Sequence, residues 1–121
     1  IAILDASAAC HMPDVIEMPY LPPVLGAEAA DHADSRTWRL AGPTCLAGDV
    51  IGDYRFSEEV IAGERLLFGD MAIYTTCKNN TFNGMPLPAI WVYREDGTCE
   101  ELVHFGYEDF KVRLGRNNVS S

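Results

Sequence analysis

Thr37-Trp38-Arg39-Leu40-Ala41-Gly42-Pro43-Thr44-Cys45-Leu46-Ala47-Gly48-Asp49-Val50-Ile51 is the stretch that decides the fold. Thr37 to Leu40 alternates and reads as a strand entering the Gly42-Pro43 turn. An apolar, strand-like run follows Asp49, although Val50 to Phe56 fits either a strand or a short helical turn. A turn of this kind holds a side chain at the edge of a sheet, within reach of a ligand. Cys45 occupies that place, with the Asp49 carboxylate four residues on.

Downstream, Ala62-Gly63-Glu64-Arg65 is a turn signal, and Gly69-Asp70 is a second break before Met71 to Thr76. Ala89 to Arg94 is rich in β-branched and aromatic residues and reads as a strand. Glu95-Asp96-Gly97-Thr98 reads as a type I′ hairpin turn into a strand from Cys99 to His104. Glu108 to Leu114 fits a closing helix. Upstream, Ile1 to Leu4 reads as a buried strand, and Pro13, Pro19, Pro22 and Pro23 are expected to break the next stretch into extended pieces. Val24 to Ser35 suits a short helix or a loop. Many short strands with frequent turns indicate an all-β sandwich or barrel.

The chain has 121 residues, enough for one domain with a modest core, and its 48% hydrophobic content argues against disorder. A net charge of −9 opposes binding to nucleic acid or anionic membrane. It would attract a cationic substrate, or simply maintain solubility. No apolar run approaches the roughly 20 residues of a membrane-spanning helix. The four cysteines, Cys10, Cys45, Cys77 and Cys99, form no C-x-x-C pair and read as free thiols of a cytosolic protein. His11, His32 and His104 lack paired ligand spacing and read as structural or surface residues. Asn79-Asn80-Thr81 fits a glycosylation sequon that a cytosolic chain would not use.

The Gly42 to Ile51 stretch, together with Tyr74-Thr75 and Thr81-Phe82-Asn83-Gly84, resembles the carboxy-terminal domain of the fold-type III, pyridoxal-phosphate-dependent decarboxylases. That family includes ornithine, diaminopimelate and carboxynorspermidine decarboxylases. The resemblance runs from Leu4-Asp5 to Phe105-Gly106-Tyr107-Glu108-Asp109-Phe110-Lys111 and is strongest to the carboxynorspermidine/carboxyspermidine branch. It implies a mainly β, Greek-key-like sandwich or barrel over residues 1–121, as in alanine racemase-like and ornithine decarboxylase-like enzymes. It also implies an amino-terminal (β/α)8 barrel outside this sequence and a homodimer in the cytoplasm. The opening Ile1-Ala2-Ile3-Leu4, without Met, is expected to lie inside a longer protein, and Ser121 near its natural end.

The resemblance gives each candidate residue a role. Cys45 would face the pyridoxal 5′-phosphate of the partner subunit and protonate the α-carbon after carbon dioxide leaves; taken alone, it reads as a buried structural cysteine. Asp49 would pair with a lysine at the subunit interface, or cap the turn. Tyr74 would bind the cofactor phosphate through its hydroxyl, and Phe82 would pack beside the substrate; otherwise both are core aromatics on a sheet. Glu17 would hold a substrate ammonium, or remain a solvated surface charge.

Two departures narrow the substrate. Leu46 stands where ornithine decarboxylase has Asp and diaminopimelate decarboxylase has Glu. Met12-Pro13 stands where diaminopimelate decarboxylases have Arg-Pro, so a distal carboxylate is not expected. A longer polyamine, whose methylenes pass Leu46, fits both. Only Lys78 and Lys111 occur, and neither lies in a Schiff-base motif, so the chain alone is expected to be inactive. A decarboxylase of another diamino acid, of the ornithine or diaminopimelate type, is the alternative within the class, and a non-catalytic β-sandwich that binds a partner or a small molecule is the alternative from another class.

Overall fold

The computed structural model describes residues 1–31 and 34–115; His32 and Ser121 lie outside the described residues. A four-stranded sheet has the order β1 (Ala2–Ile3), β3 (Thr37–Ala41), β4 (Val50–Phe56), β2 (Ala27–Ala29). β1 runs parallel to β3, and the other pairs are antiparallel. β5 (Ile90–Tyr93) and β6 (Cys99–Val103) form a separate antiparallel hairpin. Helices α1 (Ala8–His11), α2 (Pro13–Glu17), α3 (Ala72–Lys78) and α4 (Tyr107–Arg113) complete the chain, with a 3-10 turn at Phe82–Gly84. The sheets do not close into a barrel among the described residues.

The pattern of Val50 to Phe56 is ambiguous for a local reason. Between Leu40 and Ala41 the partner on β4 steps from Gly52 to Val50, which leaves Ile51 as the extra residue of a bulge. The bulge breaks the two-residue alternation, so Ile51 shares the core with Tyr54 and Phe56. Leu40, Val24, Ala8, Met12 and Val15 join them, which places α1 and α2 against the sheet. Tyr54 is buried, donates its hydroxyl to the Pro22 carbonyl at 2.6 Å and meets Phe68 edge to face.

Several local expectations are corrected. Ile1 to Leu4 is not a buried strand: β1 is a two-residue edge strand, and Ile1 is 80% exposed. The Pro13 region is helical, because Pro13 sits in the first turn of α2, where its missing N–H costs nothing. Val24 to Ser35 contains β2 rather than a helix or plain loop, because the β4 edge offers its hydrogen bonds to Ala27–Ala29. The Arg94–Thr98 turn is not type I′. Gly97 has φ +84°, but Asp96 does not have the positive φ that type I′ requires. Gly97 N–H bonds the Arg94 carbonyl and Arg94 N–H the Thr98 carbonyl, which is a three-residue loop with glycine in the left-handed position.

Candidate functional site

Cys45 lies on the loop between β3 and β4 and is exposed. The loop closes through Gly42 N–H to the Asp49 carbonyl at 2.8 Å and Asp49 N–H to the Leu46 carbonyl at 3.0 Å. The Asp49 side chain, 3% exposed, forms the inner anchor. Its carboxylate accepts from Thr44 N–H at 3.2 Å and from the Thr44 hydroxyl within the loop. It also accepts from Ala9 N–H at 3.1 Å and from the Ser7 hydroxyl at 3.0 Å. Ser7 caps α1 by accepting from Cys10 N–H at 3.1 Å. One buried carboxylate therefore fixes the cysteine loop to the start of a helix. Burial opposes its charge, but the hydrogen bonds from Thr44, Ala9 and Ser7 outweigh burial and hold the carboxyl below its ordinary value.

A second segment docks on the same helix. Asn80 donates its amide to the Ala9 carbonyl at 2.8 Å, and Asn80 N–H bonds the Cys10 carbonyl at 3.1 Å. His11 accepts from Ser7 N–H at Nδ1, 3.1 Å, so the ring proton sits on Nε2, which donates to the Pro86 carbonyl at 2.9 Å. The buried Cys10 thiol points to the Phe82 carbonyl at 3.4 Å. Burial, reinforced by the nearby Asp49 charge, raises the Cys10 pKa against the lowering effect of its hydrogen bonds with Ser7 and Phe82, so it stays a thiol. These contacts present the 3-10 turn beside Cys45: Asn83 donates Nδ2–H to Cys45 Sγ at 2.9 Å. Phe82 is exposed on the same turn.

Tyr74 and Glu17 form the other side. Tyr74 is on helix α3 and 61% exposed, so it is not a core aromatic on a sheet. Lys78, one turn later, places its ammonium 5.6 Å from the Tyr74 ring centroid. Lys78 also pairs with Asp14 at 2.6 Å and Glu17 at 2.9 Å, bridging α3 to α2. An open groove of about 870 Å³ is lined by Asp14, Met18, Tyr20, Asp70, Tyr74 and Lys78. Met12, read as unable to hold a distal carboxylate, is a buried core residue.

The sequence-derived site residues thus fall into two groups. Cys45, Phe82 and Asp49 are linked through Asn83 and α1, and Tyr74 and Glu17 through Lys78. Sequence reasoning missed Ser7, Thr44, Asn80 and Asn83. Ser7 before a helix and Asn83-Gly84 in a turn are the signals that could have marked two of them.

The exposed groups suit part of a phosphorylated pyridoxal site. A phenol and a thiol stand on open surface, ready to meet a group held elsewhere. Lys78 donates to Asp14 and to Glu17, and these hydrogen bonds hold its ammonium protonated above its usual range. Lys111 lies on α4 beside Glu108.

Residues 1–72 match the family described as pyridoxal-dependent decarboxylase, C-terminal sheet domain. The chain belongs to that family. It is 49% identical to carboxyaminopropylagmatine decarboxylase of Synechocystis sp., over 94% of this chain and 29% of the relative. It is 37% identical to carboxynorspermidine/carboxyspermidine decarboxylase of Campylobacter jejuni, over 93% of this chain and 32% of that protein. The solved structure of carboxynorspermidine decarboxylase complexed with norspermidine, also from Campylobacter jejuni, superposes with a TM-score of 0.86 at 37% identity, covering 93% of this chain and 33% of that one. A diaminopimelate decarboxylase shares the fold, with a TM-score of 0.71 at 22% identity over 93% of this chain and 29% of its own. The chain therefore spans about a third of the length of these relatives.

Proposed function

We propose that this chain is the carboxy-terminal β-domain of a cytoplasmic, homodimeric decarboxylase whose amino-terminal (β/α)8 barrel carries the Schiff-base lysine. The enzyme removes the α-carboxylate of carboxynorspermidine or carboxyspermidine, giving norspermidine or spermidine and carbon dioxide. The observation that carries this reading is the exposed Cys45 on a loop anchored by a buried carboxylate, with Phe82 presented beside it by the Asn83 turn. Identity of 37% to a carboxynorspermidine/carboxyspermidine decarboxylase across nearly the whole chain supports the substrate class.

Pyridoxal phosphate, when bound, supplies the electron sink that lets the α-carboxylate leave. This chain's residues do the rest of what falls to it. Cys45 Sγ holds the proton delivered to the α-carbon, from the partner subunit's side. Tyr74 donates its hydroxyl to a phosphate oxygen without adding charge. Phe82 covers the apolar stem of the substrate, and Leu46 lets its methylenes pass. Glu17 receives a substrate ammonium, in exchange for Lys78. Asp49 keeps the thiol loop in place. Without the barrel, the domain is inactive.

The 49% identity to a carboxyaminopropylagmatine decarboxylase favours a second reading, in which the distal group is a guanidinium. Both substrates are cationic at that end and lack a distal carboxylate, which fits the exposed, uncharged Leu46. The full-length protein, supplied with pyridoxal phosphate, separates them. Faster carbon dioxide release from carboxynorspermidine or carboxyspermidine supports the first, and from carboxyaminopropylagmatine the second. No release from any of them, with no cofactor absorbance, would sink both and leave a non-catalytic binding module. In an active enzyme, Cys45→Ala should release carbon dioxide but deliver the proton slowly or to the wrong position.

A further inference from the structure

Cys45 has one polar partner among the described residues, and it comes from a different part of the chain. Asn83 sits at φ +59°, a left-handed conformation that asparagine tolerates far better than most residues, and Gly84 follows at φ +75°. The turn is not loose. Asn80 accepts Phe82 N–H at 3.0 Å and ties the segment to Ala9 at 2.8 Å, and the Phe82 carbonyl faces the Cys10 thiol at 3.4 Å. This frame aims the Asn83 amide at Cys45 Sγ, 2.9 Å away.

A primary amide suits a sulfur that must give up a proton. Its N–H can donate to a thiolate, and its carbonyl, after a half-turn of the amide, can accept from a thiol. The sulfur can therefore keep one orientation on both sides of the transfer. A thiolate accepting a hydrogen bond is also held more firmly than one facing apolar surface. We infer that Asn83 is a positioning residue for Cys45: it fixes the thiol's direction and supports the sulfur once its proton has moved to carbon. The inference rests on the reading of Cys45 as the proton donor, but the hydrogen bond itself is open to a separate test.

The test is alkylation of Cys45 in the full-length protein by iodoacetamide, in which the thiolate sulfur forms a bond to carbon and iodide leaves. Peptide mass spectrometry follows each cysteine, and the exposed Cys77 and Cys99 serve as internal references. Asn83→Gly removes the amide without straining the left-handed backbone. Asn83→Asp keeps the shape and tolerates that backbone, but replaces the donor with an anion. Both variants should alkylate at Cys45 about tenfold or more slowly than wild type, as expected for loss of one hydrogen bond to a charged acceptor. Cys77 and Cys99 should be unchanged. A merely space-filling Asn83 would leave Asn83→Gly at the wild-type rate or faster, and that result overturns the inference. The carboxylate of Asn83→Asp adds its own repulsion, so its slowing counts only where Asn83→Gly is slowed as well. So does slowing that falls equally on Cys77, because it reports a change in the fold rather than loss of a partner. If Cys45 alkylation falls as expected while the Asn83 variants still form correctly protonated product at the wild-type rate, the hydrogen bond stands but the positioning role is overturned; failure of the acid role itself is read separately, from Cys45→Ala.

Discussion

Ser7 donates its hydroxyl to both oxygens of Asp49, each at 3.0 Å, across 42 positions of sequence. The same Ser7 oxygen caps α1, and the same carboxylate holds Thr44 one residue before Cys45. The helix that receives the 80–86 segment and the loop that carries the thiol thus share one buried polar joint. Displacing either side of that joint moves Cys45 relative to Phe82 and Asn83.

Asp49→Asn tests the joint. The amide replaces one acceptor oxygen with a donor that faces Ser7, Ala9 or Thr44, leaving buried N–H groups without partners. The expected loss is about 2 kcal/mol of unfolding free energy, measured by urea denaturation. The effect has a defined pH dependence. The Asp49 pKa is lowered in the fold, so its contribution is present above the unfolded value of about 4 and disappears as pH falls through the lower folded value. Wild type and Asp49→Asn should therefore begin to converge in stability as pH falls below about 4, and converge fully only below the lowered folded value, apart from the packing difference that remains.

Two glycines of the same loop should behave oppositely. A Cβ on Gly42 would overlap the Asp49 carboxylate, whereas a Cβ on Gly48 meets nothing. Gly42→Ala must push the anchor aside and should cost about 1–3 kcal/mol, as overpacking does in other buried sites. Gly48→Ala should be nearly silent in the same thermal melts. Equal effects would show that the loop adjusts without using its anchor.

How much of this was legible depends on whether the signal was local. The β5 and β6 strands, the α4 helix and the Gly63 turn follow from nearby residue types, and the sequence places them correctly. Ile51 could not be placed by alternation, because its bulge is set by pairing with Leu40 and Ala41. β2 escaped notice because Ala27, Glu28 and Ala29 have no strand propensity of their own and are recruited by the β4 edge. At the site, Cys45 was readable from its turn, but Asn83 and Ser7 act through partners 38 and 42 residues distant. Likewise Glu17 reads as a free carboxylate in sequence, although the fold gives it Lys78.

Tyr54→Phe isolates a core hydrogen bond. The hydroxyl reaches the Pro22 carbonyl at 2.6 Å, and both residues are almost fully buried. Burial pushes the phenol upward in pKa, so it remains a donor across the working pH range. Phenylalanine keeps the contact with Phe68 but leaves the carbonyl unsatisfied, at a cost of about 1–2 kcal/mol. Chemical denaturation should register the loss with an unchanged denaturant slope, since packing and exposed area stay the same.

Asn80→Ala should release the 82–84 turn without unfolding the sheet. Asn80 joins the Ala9 carbonyl to Phe82 N–H, two ends that nothing else in its side chain's place would bridge. Hydrogen exchange should quicken at the amides of 82–85 and stay unchanged in β3 and β4. In the active full-length protein, Phe82 and Asn83 would then lose their fixed positions together, so the yield of correctly protonated product should fall more than carbon dioxide release.

Lys78→Met bears on the substrate side of the groove. Lys78 places an ammonium between Asp14 and Glu17, at 2.6 and 2.9 Å, in the position a polyamine nitrogen would seek if Glu17 binds substrate. The pair is exposed, so its removal should shift the melting temperature little, and less still at high salt. Its raised pKa means the ammonium stays charged, and any stabilisation it gives persists until pH rises past its unfolded value of about 10. With Lys78 gone, Glu17 is uncompensated and should attract the cationic substrate more strongly. Steady-state kinetics should show a lower KM for the carboxypolyamine, and the drop should vanish in the Glu17→Gln background. An unchanged KM in Lys78→Met would place Glu17 outside the substrate path and return it to the surface.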